Sequence, residues 1–347
     1  MQYARLGNSG LIVSRLAFGA MTFGSDPAQP AIYKVDRENA RAMIERALDA
    51  GVNFFDTADL YAGGQSEIML GELLGERRHD IVLATKVGFR AGAPITHSGL
   101  SRRHILASCD ASLKRLKTDY IDLYIAHRED SYTPLEETLE AFDHLVRAGK
   151  VRYLGFSNWP AWRAATALQM QKERGWARFT SAQMYYSLVG REVEHEIVPF
   201  LRAAALGMTV WSPLAGGFLT GKYTRENLQE SGNRLAGFDF LPFDKERGFE
   251  VVEKMRAIAQ ERGASVAQIA IAWLLARPAV ASVILGASKL GQLEDDLGAI
   301  GKTLGVEEIA ALDQLTAPPA IYPRWFNEST VDVQHRNALG ENQAKLG

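Results

Sequence analysis

One cysteine among 347 residues, Cys109, leaves no partner for an intramolecular disulfide and no paired thiolates for a zinc site. Charge of one sign is also missing. Thirty-nine basic against 41 acidic side chains give a formal net charge of −2, too balanced for a general nucleic-acid binder. No apolar run approaches the roughly 20 residues that span a bilayer, and the opening MQYARLGNSG lacks the basic and apolar regions of a signal peptide. These absences predict a soluble, cytoplasmic protein that engages neither nucleic acid nor membrane. No Gly-x-Gly-x-x-Gly follows the first strand, so a Rossmann fold has no fingerprint. Gly216-Gly217-Phe218-Leu219-Thr220-Gly221-Lys222-Tyr223 misses a P-loop, because Tyr223 stands where a Ser or Thr must ligate magnesium. There is no His-Glu-x-x-His and no Gly-x-Ser-x-Gly, so neither a metal centre nor a serine nucleophile is expected.

What is present is ordinary globular composition, 47% hydrophobic and 23% charged, at a length that allows one large α/β barrel or two modest domains. Eight short apolar runs stand out: Leu16–Gly19, Val52–Asp56, Ile81–Lys86, Ile121–His127, Arg152–Ser157, Ser181–Met184, Met208–Ser212 and Ala281–Leu285. They are nearly continuous in apolar residues, as parallel strands covered on both faces are. Helical patterns with their punctuation lie between them. Asp36 to Ala50 ends at Gly51, and Phe249 to Arg262 ends at Gly263. Thr133-Pro134-Leu135-Glu136 reads as a capping box, and Ile105, Cys109, Leu113 and Leu116 form a stripe that makes Cys109 core packing.

The ends of the runs at 56, 86, 127, 157, 184 and 212 are 30, 41, 30, 27 and 28 residues apart, which fits one strand and one crossover helix each time. Eight such units predict a (β/α)₈ TIM barrel, read as one domain over residues 1–347. The interval from 212 to 285 is too long for one unit. It is read as a Gly-rich excursion over 215–248 plus an extra helix, the second helical pattern being Val266–Ala276. The tail from Ala317 reads as mostly irregular.

Barrel enzymes work at the carboxyl ends of their strands. Those ends carry Asp56, Lys86 and His127, with Tyr61 five residues beyond the first. Singly, each has a plain structural role: a turn cap, an exposed strand end, a core imidazole, a loop anchor. Together they point to chemistry, because a lysine closing a buried run needs a countercharge, and Asp56 is the nearest candidate. A lysine cation ~4 Å from a phenol, at an effective dielectric of ~20, favours the phenolate by up to ~4 kcal/mol. That predicts a Tyr61 brought from ~10 towards ~7, suited to general acid work on a carbonyl. His127 would orient the carbonyl oxygen. The hydride must come from a cofactor, since no side chain donates one.

At these residues the chain resembles the aldo-keto reductase superfamily. Gly51-Val52-Asn53-Phe54-Phe55-Asp56-Thr57-Ala58 leading to Tyr61 is similar to one signature of that family, and Ile121-Asp122-Leu123-Tyr124 running to His127 to a second. Gly155-Phe156-Ser157-Asn158 is similar to its strand-5 motif, and the likeness runs from about Tyr3 to Gln314. The resemblance implies a barrel with an N-terminal hairpin (residues 1–15) closing its bottom, and a nicotinamide cofactor bound extended. It implies catalysis by Asp56, Tyr61, Lys86 and His127, with Tyr61 as proton donor. It implies cofactor contacts from Gly19 and Met21, a carboxamide held by Ser157, Asn158 and Gln183, and Trp211 stacked on the nicotinamide. Ser212, Leu214, Gly216 and Lys222 match its pyrophosphate loop, and Arg234 a further phosphate contact. Gly286, Ser288, Lys289, Gln292, Asp295 and Asp296 match its adenosine site, Asp295-Asp296 standing where the family commonly has Glu-Asn. Ala20 stands for a frequent threonine.

Lys289 and Arg234 could neutralise a 2′-phosphate, which puts NADP(H) before NAD(H). The expected activity is reversible reduction of aldehydes or ketones, with a small carbonyl or alcohol as partner. Two other readings stay open: a cofactor-binding regulatory subunit such as a cation-channel β subunit, and a Schiff-base aldolase using Lys86. A substrate pocket is expected from Met21, Phe23, the stretch 89–99, the stretch 238–243, Tyr322, Trp325 and Phe326. Substrate identity and oligomeric state are not legible.

Overall fold

The computed structural model describes residues 1–228, 230 and 234–339. Strands β1 (Tyr3–Arg5) and β2 (Ile12–Ser14) form an antiparallel hairpin. The next eight, β3 (Leu16–Gly19), β4 (Phe54–Asp56), β5 (Val82–Val87), β6 (Ile121–Ala126), β7 (Val151–Ser157), β8 (Phe179–Tyr185), β9 (Gly207–Trp211) and β10 (Val280–Leu285), are all parallel and close into a barrel in which β10 pairs with β3. Each lies on one of the eight apolar runs. Helices alternate with the strands, so the architecture is a (β/α)₈ barrel.

The hairpin plugs the end where the strands begin. Leu6 and Val13 are fully buried among Ala17, Phe54, Val82 and Leu123. Gly7 makes this fit possible, since at φ +62° a Cβ there would lie 2.5 Å from the Thr180 carbonyl oxygen. With that end sealed, the open rim of the barrel is at the strands' carboxyl ends.

The crossover helices follow their punctuation. Asp36 caps Arg37–Asp49 by accepting from the Asn39 amide at 2.9 Å. Cys109 is buried on Arg102–Leu116 with its thiol pushed up to about 12 by burial, as core packing requires. Two local expectations are corrected. The Thr133 hydroxyl donates to the Asp130 carboxylate at 2.7 Å and does not cap the helix Leu135–Arg147, while Glu136 pairs with Arg174. The charge-assisted bond fixes the hydroxyl on the Asp130 carboxylate. The helix expected from Phe249 begins at Lys245, because Asp244 accepts from the Glu246 and Arg247 amides.

The excursion contains two short helical turns, Ala215–Thr220 and Arg234–Gly237; residues 229 and 231–233 of that expected loop lie outside the described residues. The tail is less irregular than expected, with helices Arg324–Ser329 and Val333–Ala338; residues 340–347 lie outside the described residues. Among the described residues no helix is long and apolar enough to cross a membrane.

Candidate active site

Strand register brings the polar residues to one rim. Gly19 pairs with Asp56, Lys86 with Ile125, Ser157 with Gln183, and Tyr185 with Trp211. Lys86 is fully buried and spends its three N–H groups on three acceptors: Asp56 Oδ1 at 2.5 Å, the Thr57 carbonyl at 2.7 Å and the Tyr61 hydroxyl at 3.3 Å. The other Asp56 oxygen accepts from Gln183 Nε2 at 2.8 Å. Burial alone would lower the Lys86 ammonium, but the Asp56 and Tyr61 oxygens outweigh it and hold the group above the ordinary lysine value. Lys86 is therefore a fixed cation.

Tyr61 corrects an expectation. Its ring is half-buried with the hydroxyl at the deep end, and its pKa is raised, not brought towards neutrality. Burial penalises the phenolate most, Lys86 opposes that, and the Asp56 charge cancels part of what Lys86 supplies. The phenol thus carries its proton throughout the physiological range. His127, directly after β6, meets the Tyr61 ring edge-on at 5.9 Å between centroids and the Phe89 ring at 4.7 Å. Burial, then Lys86 and Arg128, lower its pKa well below the usual histidine value, so the imidazole is neutral, and among the described residues its Nδ1 is buried without a partner.

The expected carboxamide residues are wired into the same network. Trp211 Nε1 donates to Asn158 Oδ1 at 3.2 Å, and Asn158 Nδ2 donates to Ser157 Oγ at 2.9 Å and to the His127 carbonyl at 3.0 Å. Ser157 Oγ donates to the Gln183 carbonyl at 2.7 Å, and Gln183 reaches Asp56. Hydrogen bonds thus link Trp211 through Asn158, Ser157 and the backbone of Gln183, and the Gln183 side chain through Asp56 and Lys86 to Tyr61. Asn158 stands at φ +59°, a conformation asparagine tolerates better than most residues. The Trp211 ring is 5.1 Å from that of Tyr185 and 6.0 Å from that of Phe240, to which it is parallel within 8°.

Beyond Trp211 the backbone turns through Ser212 (φ +49°), Ala215 (φ +48°), Gly216 (φ +69°) and Gly217 (φ +91°), with Leu214 carbonyl accepting from the Gly217 amide. Positive φ at the two non-glycine positions is strained and persists because the surrounding structure holds it, as it commonly does at ligand clamps. Lys222, Arg234 and Lys289 converge here: Lys222 has its pKa lowered by burial and by repulsion from Arg234 and Lys289. Among the described residues, Arg234 Nε is buried without a partner. Ser288 donates to Gln292 Oε1 through both its amide and its hydroxyl. The Asp295 carboxylate is occupied by Ser265 and Gln268, whereas burial and then Asp295 push the Asp296 carboxyl up to about 7.

Of the expected pocket residues, Met21 packs, as Tyr61 and Phe238 do, against the buried cluster of Ile32, Tyr33 and Ala62, but Phe23 is fully buried against Phe18 and belongs to the core. Tyr322, Trp325 and Phe326 pack on one another and stay about half exposed or more. Sequence reasoning missed Asp59, buried two residues before Tyr61, and Lys34, whose ammonium is repelled by the same three cations. No motif or spacing marks either.

Known proteins resemble the chain over most of its length. A profile described as the Aldo/keto reductase family matches residues 15–317. A probable voltage-gated potassium channel subunit beta of Oryza sativa subsp. japonica is 39% identical over 86% of this chain and 91% of its own length. Versiconal hemiacetal acetate reductase of Aspergillus parasiticus is 34% identical over 93% of this chain and 99% of its own. An uncharacterized oxidoreductase of Bacillus subtilis is 37% identical over 92% and 97%.

Proposed function

The chain belongs to the aldo/keto reductase family, and from that membership and the rim geometry we propose that it is an NADP(H)-dependent oxidoreductase that reversibly reduces aldehydes or ketones to alcohols. The observation that carries this reading is Lys86, locked by Asp56 and Thr57, donating to the Tyr61 hydroxyl at 3.3 Å. Tyr61 gives its proton to the carbonyl oxygen. Its raised pKa suits this task, since the phenol must be protonated when the reaction begins and an alkoxide is far more basic than a phenolate. Lys86 stabilises the phenolate left behind. Neutral His127 orients the carbonyl oxygen by hydrogen bonding.

The residues present fit a dinucleotide phosphate: a positive-φ cradle, three cations that form no ion pair among the described residues, and a guanidinium nitrogen buried without a partner among them. When bound, the nicotinamide supplies the hydride. Gly19, Met21, Ser157, Asn158, Gln183 and Trp211 would hold its ring end. Ser212, Leu214, Gly216 and Lys222 would hold the diphosphate, and Arg234 and Lys289 a 2′-phosphate. Gly286, Ser288, Gln292, Asp295 and Asp296 would hold the adenosine. Phe89, Tyr185, Phe238 and Phe240 give an apolar rim suited to a flat or bulky carbonyl. The Schiff-base alternative is disfavoured, since a lysine held cationic with all three N–H groups committed is not a nucleophile. Loss of NADPH absorbance over a panel of aldehydes and ketones tests the proposal; no turnover with any of them, together with no nucleotide binding, sinks it.

A second reading is favoured by the potassium-channel β-subunit name of a 39% identical relative. In it the chain keeps nucleotide binding but serves chiefly as a regulatory partner. A stoichiometric membrane partner in pull-downs, with negligible turnover, would select it.

A further inference from the structure

We propose that Lys34, on the loop after β3, is a fourth phosphate-binding cation of the cofactor site. The inference rests on the nucleotide reading above and adds a residue to it. The loop is short of regular structure but firmly pinned. Ile32, Tyr33 and Val35 are buried around the exposed Lys34, and the Lys34 and Val35 amides both donate to the Thr22 carbonyl at 3.1 and 3.0 Å. Thr22 Oγ1 in turn donates to the Ala287 carbonyl at 2.7 Å, two residues before Lys289. On its other flank the loop is pressed against the turn carrying Arg234, for a Cβ on Gly237 would lie 2.9 Å from the Ala31 Cβ. Lys222 curls back over the Gly-rich turn, its Nζ 3.3 Å from where a Gly217 Cβ would stand.

Four segments distant in sequence thus deliver four cations to one place. Arg234, Lys222 and Lys289 all repel the Lys34 ammonium, which burial lowers first. Among the described residues none of the four forms an ion pair with a carboxylate. Like charges gathered without a counterion destabilise the protein unless an anion joins them, and a phosphate with several acceptor oxygens meets that need. A lysine that served only solubility would not have to be anchored by its neighbours beside three others.

The test is equilibrium binding of NADPH and of NADH, read by quenching of tryptophan fluorescence, to the wild-type chain, Lys34→Met and Lys34→Glu. Lys34→Met keeps the length of the apolar stem and removes the charge. It should weaken binding about tenfold, the size of one charge-assisted hydrogen bond, and Lys34→Glu should weaken it further. A loss confined to NADPH assigns Lys34 to the 2′-phosphate, and an equal loss for both nucleotides assigns it to the diphosphate. Unchanged affinity of both variants for both nucleotides overturns the proposal. A wild-type chain that binds neither nucleotide overturns the cofactor reading itself, and this inference with it.

Discussion

Asp59→Asn should remove a pH dependence of stability that the wild-type protein carries. Asp59 is 3% exposed, and among the described residues neither carboxylate oxygen reaches a hydrogen-bond partner of good geometry. Its backbone amide donates to the Lys86 carbonyl at 3.3 Å, and its surroundings hold Glu67, itself taken by Thr85 at 2.5 Å and Arg115 at 2.6 Å. Burial, then repulsion by Glu67, push Asp59 up from 3.8 to about 7, with Arg115, the Leu60 amide and Lys86 offsetting only part. A raised carboxyl binds more protons folded than unfolded. Its contribution is therefore fully present below pH 3.8 and is lost as pH rises through about 7. At 1.36 kcal/mol per pH unit that loss is up to ~4 kcal/mol, most of it between pH 5 and 7.5. Asparagine does not titrate. Urea midpoints measured across that range should show Asp59→Asn gaining on wild type as pH rises, with unchanged slopes m. Parallel curves for the two proteins would show that Asp59 is ionised when folded and refute the reasoning.

Other outcomes follow from the site. Tyr61→Phe should lower carbonyl reduction by roughly 10²–10⁴-fold while leaving nucleotide affinity near wild type, as steady-state rates and fluorescence titration would read. Lys86→Met strands Asp56 without its cation and should cost about 3–5 kcal/mol of stability; the Asp56→Asn/Lys86→Met pair should recover part of that loss in urea melts. Asp296 is pushed up to about 7 by burial and then by Asp295, so in the proposed adenosine site it offers a donor only below that pH. Asp296→Asn should therefore flatten the pH dependence of NADPH affinity and tighten binding at pH 8; an unchanged profile would exclude Asp296 from the site.

The eight barrel strands were legible because a parallel strand covered on both faces is written as a continuous apolar run, and each run recurs as a strand. The partnership of Lys86 with Asp56 was legible for a related reason: a cation inside such a run must find a carboxylate, and few were near. Phe23 was misplaced because an aromatic in a loop looks the same whether it faces a pocket or, as here, Phe18. Thr133 was misread because its sequence carries a cap signal, while the Asp130 carboxylate arrives from the preceding loop in a geometry that no spacing rule specifies.

The sequence by itself determined the barrel, the rim on which its polar residues stand, and the identity of the ion pair, since hydrophobic period and the cost of an unpaired buried charge act locally along the chain. Only the tertiary structure decided the protonation of Tyr61 and Asp59 and the meeting of Lys34 with Lys222, Arg234 and Lys289. Those depend on how much water is excluded and on charges brought together from distant segments. Both are sums over the whole neighbourhood in space, which no window of sequence contains.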